Sequence, residues 1–269
     1  MTTKQNEILS DLQVREYRRQ GFVFQESLFS PQEMERICQE AELEYAEDSP
    51  RRIFEKDSEL VRGVHGSHLY KDFFERLVRL PRLLGVAQQL LRDDAYIHQF
   101  KINAKRAFMG DLWPWHQDFL YWHREDGMPK PNALSVGVFL DDVTEFNGPL
   151  VLVPEAQNGT TIDVAQKGEG WTNTLTSDVK YTLDTNAFRS LVSRNGLVAP
   201  KGPKGSAVWF HCNTPHGSAP NISPFDRGLM LISYNSVRNA PSPDALTRPE
   251  WVAGQDFSPL EPAEDDLLR

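Results

Sequence analysis

The hydrophobic periodicity of this chain changes near Ala95, and that change limits the fold more than any other feature of the sequence. Before Ala95, apolar residues recur at helical spacing. A helix is predicted over Asp11–Arg19, ended by Gly21, and Ser30–Glu33 is a capping box with proline at the first helical position. After Ala95, strand-like alternation dominates, as in Leu134–Leu140, where every second residue is apolar. Strands that follow a helical start predict a β-sandwich or barrel with helices on one side.

The 269 residues suit a single domain, because all-β barrels of this size often remain undivided. We expect a helical layer over about 1–92 and a β core over about 95–240. Within the core, the polar and weakly periodic stretch of about 155–195 predicts a lid or an insertion. The proline- and acid-rich tail, about 241–269, is expected to pack loosely. Two further helices are predicted in the helical layer, over Asp72–Leu80 and Pro81–Leu91.

Charge and composition exclude several classes of partner. The net charge of −9 argues against a nucleic-acid or anionic-membrane partner, because binding to phosphates needs clustered lysine and arginine. The sequence has neither an apolar run long enough for a membrane span nor a signal-peptide pattern. Cys38 and Cys212 fit no zinc spacing and are typical of buried thiols in a reducing compartment. We therefore expect a cytoplasmic protein, monomeric or homodimeric, whose partner is a small molecule.

The chemistry is concentrated in Trp113–Pro129, which reads W-P-W-H-Q-D-F-L-Y-W-H-R-E-D-G-M-P. On an extended segment, His116 and Asp118 project to the same side, because side-chain direction alternates with period two. His216, in the run T-P-H-G-S, is the preferred third ligand, with His211 as the alternative. Two histidines and one carboxylate with an open face are the ligand set of non-haem Fe(II) oxygenases.

Other readings of these residues stay open at this point. His123, Glu125 and Asp126 form a rival ligand set, which we interpret as a polar loop because Gly127 and proline follow. The surrounding tryptophans, tyrosine and phenylalanine are either a pocket wall or the ordinary core of an edge strand. Arg227, eleven residues after His216, can clamp a carboxylate or form a surface salt bridge. Nearby hydroxyl donors for an anionic cosubstrate are Ser135 and Ser218.

Together, His116-x-Asp118, His216 and Arg227 resemble the phytanoyl-CoA dioxygenase superfamily of Fe(II)/2-oxoglutarate oxygenases. The run W-H-x-D-F-x-x-W-H-x-E-D-G-M-P is similar to the signature of ectoine hydroxylases, which have Glu-Thr where this chain has Leu120-Tyr121. E-K-D-x-x-x-V-R-x-V-H-G, Y-I-H-Q-F-K-I-N-A-K and G-D-x-W-P-W-H-Q-D are similar to bacterial free L-proline trans-4-hydroxylases. Leucine 5-hydroxylases share H-Q-F-K-I-N and D-V-T-E-F-N-G-P. The resemblance covers about residues 10–260.

The resemblance implies a mostly β fold, a double-stranded β-helix (jelly-roll, cupin-like) with an N-terminal helical layer. It implies Fe(II) as the cofactor, with 2-oxoglutarate and O₂ as cosubstrates. The implied iron ligands are His116, Asp118 and His216. The implied 2-oxoglutarate residues are Arg227, Lys101, Asn103, Ser135 and Ser218. At the substrate pocket the resemblance implies Gln99 and Trp122, and Tyr121 lies where the chain departs from ectoine hydroxylases.

The expected activity is hydroxylation of a small free amino acid, with L-proline converted to trans-4-hydroxy-L-proline and succinate and CO₂ released. Arg62 is predicted to bind the amino-acid carboxylate, because a zwitterion needs a cation partner. Alternative substrates are pipecolate, leucine, lysine and ectoine. The alternative from another class is a β-barrel binding protein that has kept the fold and lost catalysis.

Overall fold

The computed structural model of the protein describes residues 8–159, 164–166, 175 and 180–265. The α-helices of these residues are α1 (Asp11–Gln20), α2 (Pro31–Ala46), α3 (Asp72–Leu77), α4 (Pro81–Leu91), α5 (Asp118–Asp126) and α6 (Thr185–Asn195). The strands of the first half are β1 (Phe22–Gln25), β2 (Arg52–Phe54), β3 (Val61–His65), β4 (Ala95–Lys105) and β5 (Trp113–His116). The strands of the second half are β6 (Ala133–Phe139), β7 (Val151–Leu152), β8 (Val164–Gln166), β9 (Tyr181–Leu183), β10 (Ala207–His211), β11 (His216–Ser218) and β12 (Arg227–Ser236).

Two antiparallel sheets form the core. The larger has seven strands in the order β1-β10-β6-β12-β4-β3-β2, and the smaller has three in the order β5-β11-β7. A separate pair joins β8 to β9. With helices on the outer face of the large sheet, this is the double-stranded β-helix that the family resemblance implies, so the expected fold class is confirmed.

The N-terminal helices begin and end where their local signals predict. Ser10 and Ser30 each accept a hydrogen bond from the backbone three residues on, and each closes a capping box. Gly21 ends α1 with φ 82°, a left-handed conformation that glycine adopts without the steric penalty of a side chain. Pro81 opens α4, whereas α3 is shorter than predicted and ends at Leu77.

Side-chain alternation gives the large sheet two different faces. Leu134, Val136 and Val138 of β6 pack outward against the helices, in one cluster with the apolar faces of α1 to α4. Phe139 points inward and packs in a second cluster with residues of β7, β10 and β12. Ser135 also points inward, towards Asp118. The period of two that builds the sheet therefore also supplies a polar interior.

The structure corrects two predictions around Asp118. Extended backbone stops at His116, and Asp118 is the first residue of α5, with Gln117 as the N-cap. His123 and Asp126 lie in the same helix, so the prediction of a polar loop is wrong. Helix α5 ends at Gly127 in a left-handed conformation, so the loop begins only at the glycine and includes Pro129.

The tail and the 155–195 stretch are more ordered than predicted. The backbone N–H of Leu260 donates to Ala95 at 2.9 Å, and that of Gly254 donates to His98 at 2.7 Å, so the tail docks along β4 and does not pack loosely. Helix α6 and strand β9 lie within 155–195. Residues 160–163, 167–174 and 176–179 of that stretch lie outside the described residues. Its role as a lid stays a prediction.

Two expectations about the whole chain concern its thiols and membranes. Cys38 and Cys212 are both free, the first half-buried and the second fully buried. Among the described residues, no helix has the length and apolar character that a membrane crossing requires.

The cluster between the helices and the large sheet contains more buried apolar side chains than the other two clusters, so we expect it to contribute most to stability. A matched pair of leucines tests this expectation. Leu84 of α4 has no exposed surface, whereas Leu12 of α1 is 67% exposed. We expect Leu84→Ala to lower the free energy of unfolding by about 2–5 kcal/mol, because it removes buried methyl groups and leaves a cavity. Leu12→Ala should change it by less than about 0.5 kcal/mol. Urea unfolding followed by circular dichroism measures both, and equal losses would contradict this account of the core.

Candidate active site

Three residues that are distant in sequence meet at one end of the small sheet. His116 closes β5, His216 opens β11, and the two are direct partners in the antiparallel register. Asp118 is added by the turn from β5 into α5. One ligand atom from each of these three side chains lies within 4.8 Å of the others, and all three residues are buried. Among the described residues this is the group of histidine, cysteine and carboxylate side chains that can hold a metal ion.

Backbone carbonyls fix both imidazoles in the orientation that a ligand needs. Nδ1 of His116 donates to the carbonyl of Pro114 at 2.7 Å, and Nδ1 of His216 donates to that of Thr214 at 2.9 Å. Each Nε2 then keeps the lone pair that a metal ligand needs, and each lies close to Asp118. The Nε2 to Oδ1 distances are 3.7 Å from His116 and 3.8 Å from His216. His211 lies outside this group, so the geometry favours His216 over the alternative ligand.

The protonation states also suit a metal. Burial, followed by the neighbouring His216, lowers the pKa of His116 to about 3, and burial likewise lowers the pKa of His216. Burial acts to raise the pKa of Asp118, but His216, Lys101 and His116 together hold it below its ordinary value. Two neutral imidazoles and one carboxylate are therefore present, which are the forms that bind a cation. This donor set fits the facial arrangement of non-haem iron.

A cavity opens beside the ligand cluster. The residues that line it come from β3, β4, β5, α5, the 155–195 stretch and the tail: His65, Gln99, Lys101, Trp113, His116, Asp118, Tyr121, Trp122, Leu175 and Arg248. The aromatic side chains therefore form a pocket wall, as one of the two readings of the sequence predicts. The Tyr121 hydroxyl donates to the carbonyl of Tyr181 at 2.8 Å and accepts from the N–H of the same residue at 3.0 Å, so its position is fixed.

Of the predicted cosubstrate residues, two lie close to the ligand cluster. Lys101 lines the cavity, and its charge acts on Asp118. Ser135 donates to Oδ2 of Asp118 at 3.4 Å and is hydrogen bonded to Ser233 at 2.8 Å. Asn103 is buried on the same inward face of β4 as Lys101. The ammonium group of Lys101 and the hydroxyl of Ser135 therefore lie on the face of the sheet that borders the ligand cluster.

Arg227 marks the other end of this interior. It is buried, and its Nε donates to the carbonyl of Gly148 at 2.9 Å while Nη2 lies 3.4 Å from Oγ of Ser218. Burial and then repulsion from Arg62 lower the pKa of Arg227 to about 10. Within the described chain no carboxylate is within salt-bridge distance of Arg227, so the surface salt bridge is excluded. A buried guanidinium held on one side is suited to receiving an anion.

Arg62 lies near Arg227 and outside the cavity lining. Its Nη1 donates to Glu55 at 2.6 Å, its Nη2 donates to the carbonyl of Leu112 at 2.8 Å, and its guanidinium stacks 3.7 Å from the centre of the Trp113 ring. These contacts bind the guanidinium to the protein itself. Its predicted contact with a substrate carboxylate stays a prediction that this placement does not favour.

The arginine that lines the cavity is Arg248, which the sequence did not reveal. Its Nε donates to Oδ1 of Asp126 at 2.7 Å, its Nη2 pairs with Oδ2, and His98 is hydrogen bonded to the same carboxylate at 3.0 Å. Arg248 belongs to the tail, where no periodicity singles it out. The available signal was Asp126, a carboxylate in the rival ligand set that needs a buried partner. His65, the other missed residue, lines the same cavity.

Comparison with known proteins agrees with this geometry. The sequence model of the phytanoyl-CoA dioxygenase (PhyH) family matches residues 17–229. The L-proline trans-4-hydroxylase of Streptomyces griseoviridis is 38% identical over 265 residues, which cover 97% of this chain and 98% of that protein. The ectoine dioxygenase of Bordetella bronchiseptica is 37% identical over 265 residues, which cover 95% of this chain and 86% of that protein.

Solved structures give the same picture. EctD from S. alaskensis with 2-oxoglutarate and 5-hydroxyectoine matches with a TM-score of 0.81 and 32% identity, over 98% of this chain and 88% of that chain. The same protein with bound Fe matches with a TM-score of 0.83 and 31% identity, over 98% of this chain and 90% of that chain. The likeness therefore includes both sheets and the helical layer.

The ligand cluster can be tested by metal binding alone. Asp118→Ala should weaken Fe(II) or Mn(II) binding by at least about 100-fold, since even the loss of an outer partner of a ligand costs 10- to 100-fold. His211→Ala is the matched control, because His211 lies nearby but outside the cluster. Calorimetric titration under argon measures both affinities. Unchanged affinity in Asp118→Ala would place the metal elsewhere.

Proposed function

Because the chain belongs to the phytanoyl-CoA dioxygenase family and is an Fe(II)/2-oxoglutarate-dependent dioxygenase, we propose that it hydroxylates a small free amino acid, L-proline, to trans-4-hydroxy-L-proline. One observation supports an amino acid as the substrate. Beside the ligand cluster, one enclosure offers a guanidinium, Arg248, together with the uncharged acceptors His65 and Gln99. A carboxylate and an ammonium group on one small molecule match those partners.

In this proposal His116, Asp118 and His216 would hold Fe(II), and His116 and Asp118 also line the cavity beside them. With 2-oxoglutarate and O₂, a bound iron would supply the oxidising power to insert one oxygen atom into a C–H bond, and succinate and CO₂ would be the other products. Asp118 completes the protein ligands, and Ser135 holds its second carboxylate oxygen. That hydrogen bond keeps the ligand from rotating away from the cation.

The distal carboxylate of 2-oxoglutarate is assigned to Arg227. Its guanidinium is already fixed by Gly148 and Ser218, so little rotational freedom is lost when an anion binds. The lowered pKa of Arg227 reflects burial first and repulsion from Arg62 second, and Asp141 and Tyr45 offset these effects only in part. A carboxylate beside it would relieve that repulsion. Lys101 and Asn103, on the inward face of β4 between Arg227 and the ligand cluster, are assigned to the same cosubstrate.

The amino-acid substrate is assigned to the cavity itself. Arg248, held by Asp126, is placed to bind the α-carboxylate, and this assignment replaces Arg62. Trp122 and Tyr121 supply the apolar wall against which a pyrrolidine ring packs. Leu175, from the 155–195 stretch, completes the wall, and Phe188 of α6 packs 4.5 Å from the ring of Trp115. These contacts support the proposal that this stretch closes over the substrate.

Two observations support L-proline, and one favours a second candidate. The match to the L-proline trans-4-hydroxylase spans nearly the full length of both chains, and Leu120-Tyr121 replaces the Glu-Thr of the ectoine-hydroxylase signature. Ectoine is the second candidate, because the ectoine dioxygenase of Bordetella bronchiseptica has 37% identity to this chain. Both substrates are small and carry a carboxylate beside a cationic nitrogen.

A substrate screen tests the proposal directly. Purified protein with Fe(II), ascorbate, 2-oxoglutarate and O₂ should convert L-proline to 4-hydroxyproline, with one succinate formed per product. Product identity is measured by chromatography with mass detection, and Asp118→Ala is the control for uncatalysed oxidation. If proline, pipecolate, leucine and lysine all fail to stimulate succinate release, the amino-acid assignment is wrong. Stimulation by ectoine alone would establish the second candidate.

The cosubstrate assignment has a separate test. Arg227→Gln should raise KM for 2-oxoglutarate by about 10- to 100-fold, the worth of a charged hydrogen-bonding pair, with little change in KM for the amino acid. Arg238→Gln is the matched control, because Arg238 is exposed and pairs with Asp93 at the surface. Steady-state kinetics with each substrate varied in turn measure both constants. A rise confined to the amino-acid KM would move Arg227 to the substrate.

A further inference from the structure

We propose that His65 is the residue that recognises the substrate's ammonium group. One of its imidazole nitrogens would accept a hydrogen bond from an N–H of that group. The inference rests on the proposed function and names how that site distinguishes a free amino acid from other small carboxylates. His65 would therefore be a specificity-determining residue.

Geometry places His65 in the cavity. It is the last residue of β3 and the direct cross-strand partner of Lys101 in β4, so the two side chains stand side by side on the inward face. Both line the cavity with the ligand cluster. Two hydrogen bonds to Arg51 fix the backbone of His65. The N–H of His65 donates to the Arg51 carbonyl, and the carbonyl of His65 accepts from the Arg51 guanidinium. The imidazole packs edge-on against Trp251, with 6.4 Å between ring centres.

One nitrogen of this imidazole lacks a partner. His65 is 3% exposed, and its Nδ1 is buried without a hydrogen-bond partner among the described residues. Buried polar atoms are rarely left unpaired in folded proteins, and those that are need an explanation. A ligand in the cavity that His65 lines supplies one.

The charge around His65 determines what that ligand group must be. Burial, and then the charges of Lys101 and Arg248, lower the pKa of His65 to about 3. The ring is therefore neutral, and a neutral imidazole always has one nitrogen that accepts a hydrogen bond. Since two cations already border the cavity, a third cation from the substrate needs an uncharged acceptor or a carboxylate beside it.

Among the described residues that line the cavity, the carboxylate is that of Asp118, which the ligand cluster uses. Gln99 donates its Nε2 to the carbonyl of Val252 at 2.9 Å, which leaves its Oε1 as a second uncharged acceptor. A carboxylate at position 65 would pair with Lys101, its cross-strand neighbour, or compete for the metal. A neutral histidine avoids both and still accepts from an ammonium group.

The test compares two ligands that differ only in the ammonium group. L-Proline and tetrahydrofuran-2-carboxylate have the same ring and carboxylate, but the second has an ether oxygen in place of the charged nitrogen. Calorimetry under argon, on protein loaded with Fe(II) and 2-oxoglutarate, measures the affinity for each. We expect His65→Phe to weaken L-proline binding by about 10- to 100-fold, as for loss of one charge-assisted hydrogen bond, and to leave the analogue nearly unchanged.

Further variants guard against a general loss of structure. His65→Asn keeps an acceptor near the position of Nδ1 and should recover most of the affinity for L-proline. His65→Leu repeats the deletion if the phenylalanine variant does not fold, and binding of 2-oxoglutarate shows that each variant is intact. His68→Phe is the matched control, because Nδ1 of His68 is also unpaired but the ring packs on Phe100 outside the cavity lining.

The outcomes separate the two proposals. Equal losses for L-proline and its analogue, or no loss for either, would overturn the role of His65 while the proposed function stands on wild-type turnover. If the wild-type protein neither binds nor hydroxylates any amino acid of the screen, the proposed function fails and the role of His65 fails with it. A selective loss for L-proline that His65→Asn restores supports both.

Discussion

The pairing of His116 with His216 across β5 and β11 is the constraint on which the rest of the site depends. The two residues are one hundred positions apart in sequence, and the small sheet brings their ring centres to 4.2 Å. Strand β7 pairs with the other side of β11, so His216 is held from both edges. Because both imidazoles are also fixed by backbone carbonyls, the cluster is formed before a cation arrives.

Alternate side chains of the large sheet face opposite sides. Those that face outward form the core with the helices, and those that face inward add to the site. Along β4, Phe100 and Ile102 pack outward against the helices, while Gln99, Lys101 and Asn103 face inward. The register aligns these inward residues with neighbours on other strands: Gln99 with Ser233, Lys101 with His65, and Lys105 with Arg227. The inward side chains therefore form rows, which run from the cavity beside the ligand cluster at one end to the buried Arg227 at the other.

The sequence predicted what local signals determine. Capping boxes at Ser10 and Ser30, the proline that opens α4 and the alternation of β6 all act within a few residues, and each has its expected consequence. The path of the chain through Asp118 was predicted wrongly. Period-two reasoning assumes that the strand continues, whereas the backbone turns into α5 at Gln117. The sequence still indicated the ligand cluster, because the types of residue identify it even though the backbone conformation at Asp118 was predicted wrongly.

The sequence could not predict those cavity residues that only the tertiary structure brings to the site. Charge logic called for a cation to bind a zwitterionic substrate and selected Arg62, whose guanidinium donates a hydrogen bond to Glu55 in the structure. Arg248 comes from a proline- and acid-rich tail with no periodic signal, and it reaches the cavity because that tail docks along β4. His65 lies in a segment noted for resemblance, but its place beside Lys101 and in the cavity lining is visible only in the folded structure.

Helix α5 connects the two halves of the proposed chemistry. Asp118 begins it, and Asp126, which ends it, holds Arg248 while His98 occupies the same carboxylate. Asp126, which holds Arg248, comes eight positions after the proposed iron ligand Asp118, which is about 12 Å along the helix axis at 1.5 Å per residue. A buried carboxylate is costly unless it is paired, so Asp126 and Arg248 each keep the other in place. In the proposed function, this helix would set the distance from the bound iron to the substrate carboxylate, and that distance would determine which carbon of a bound amino acid lies nearest the metal.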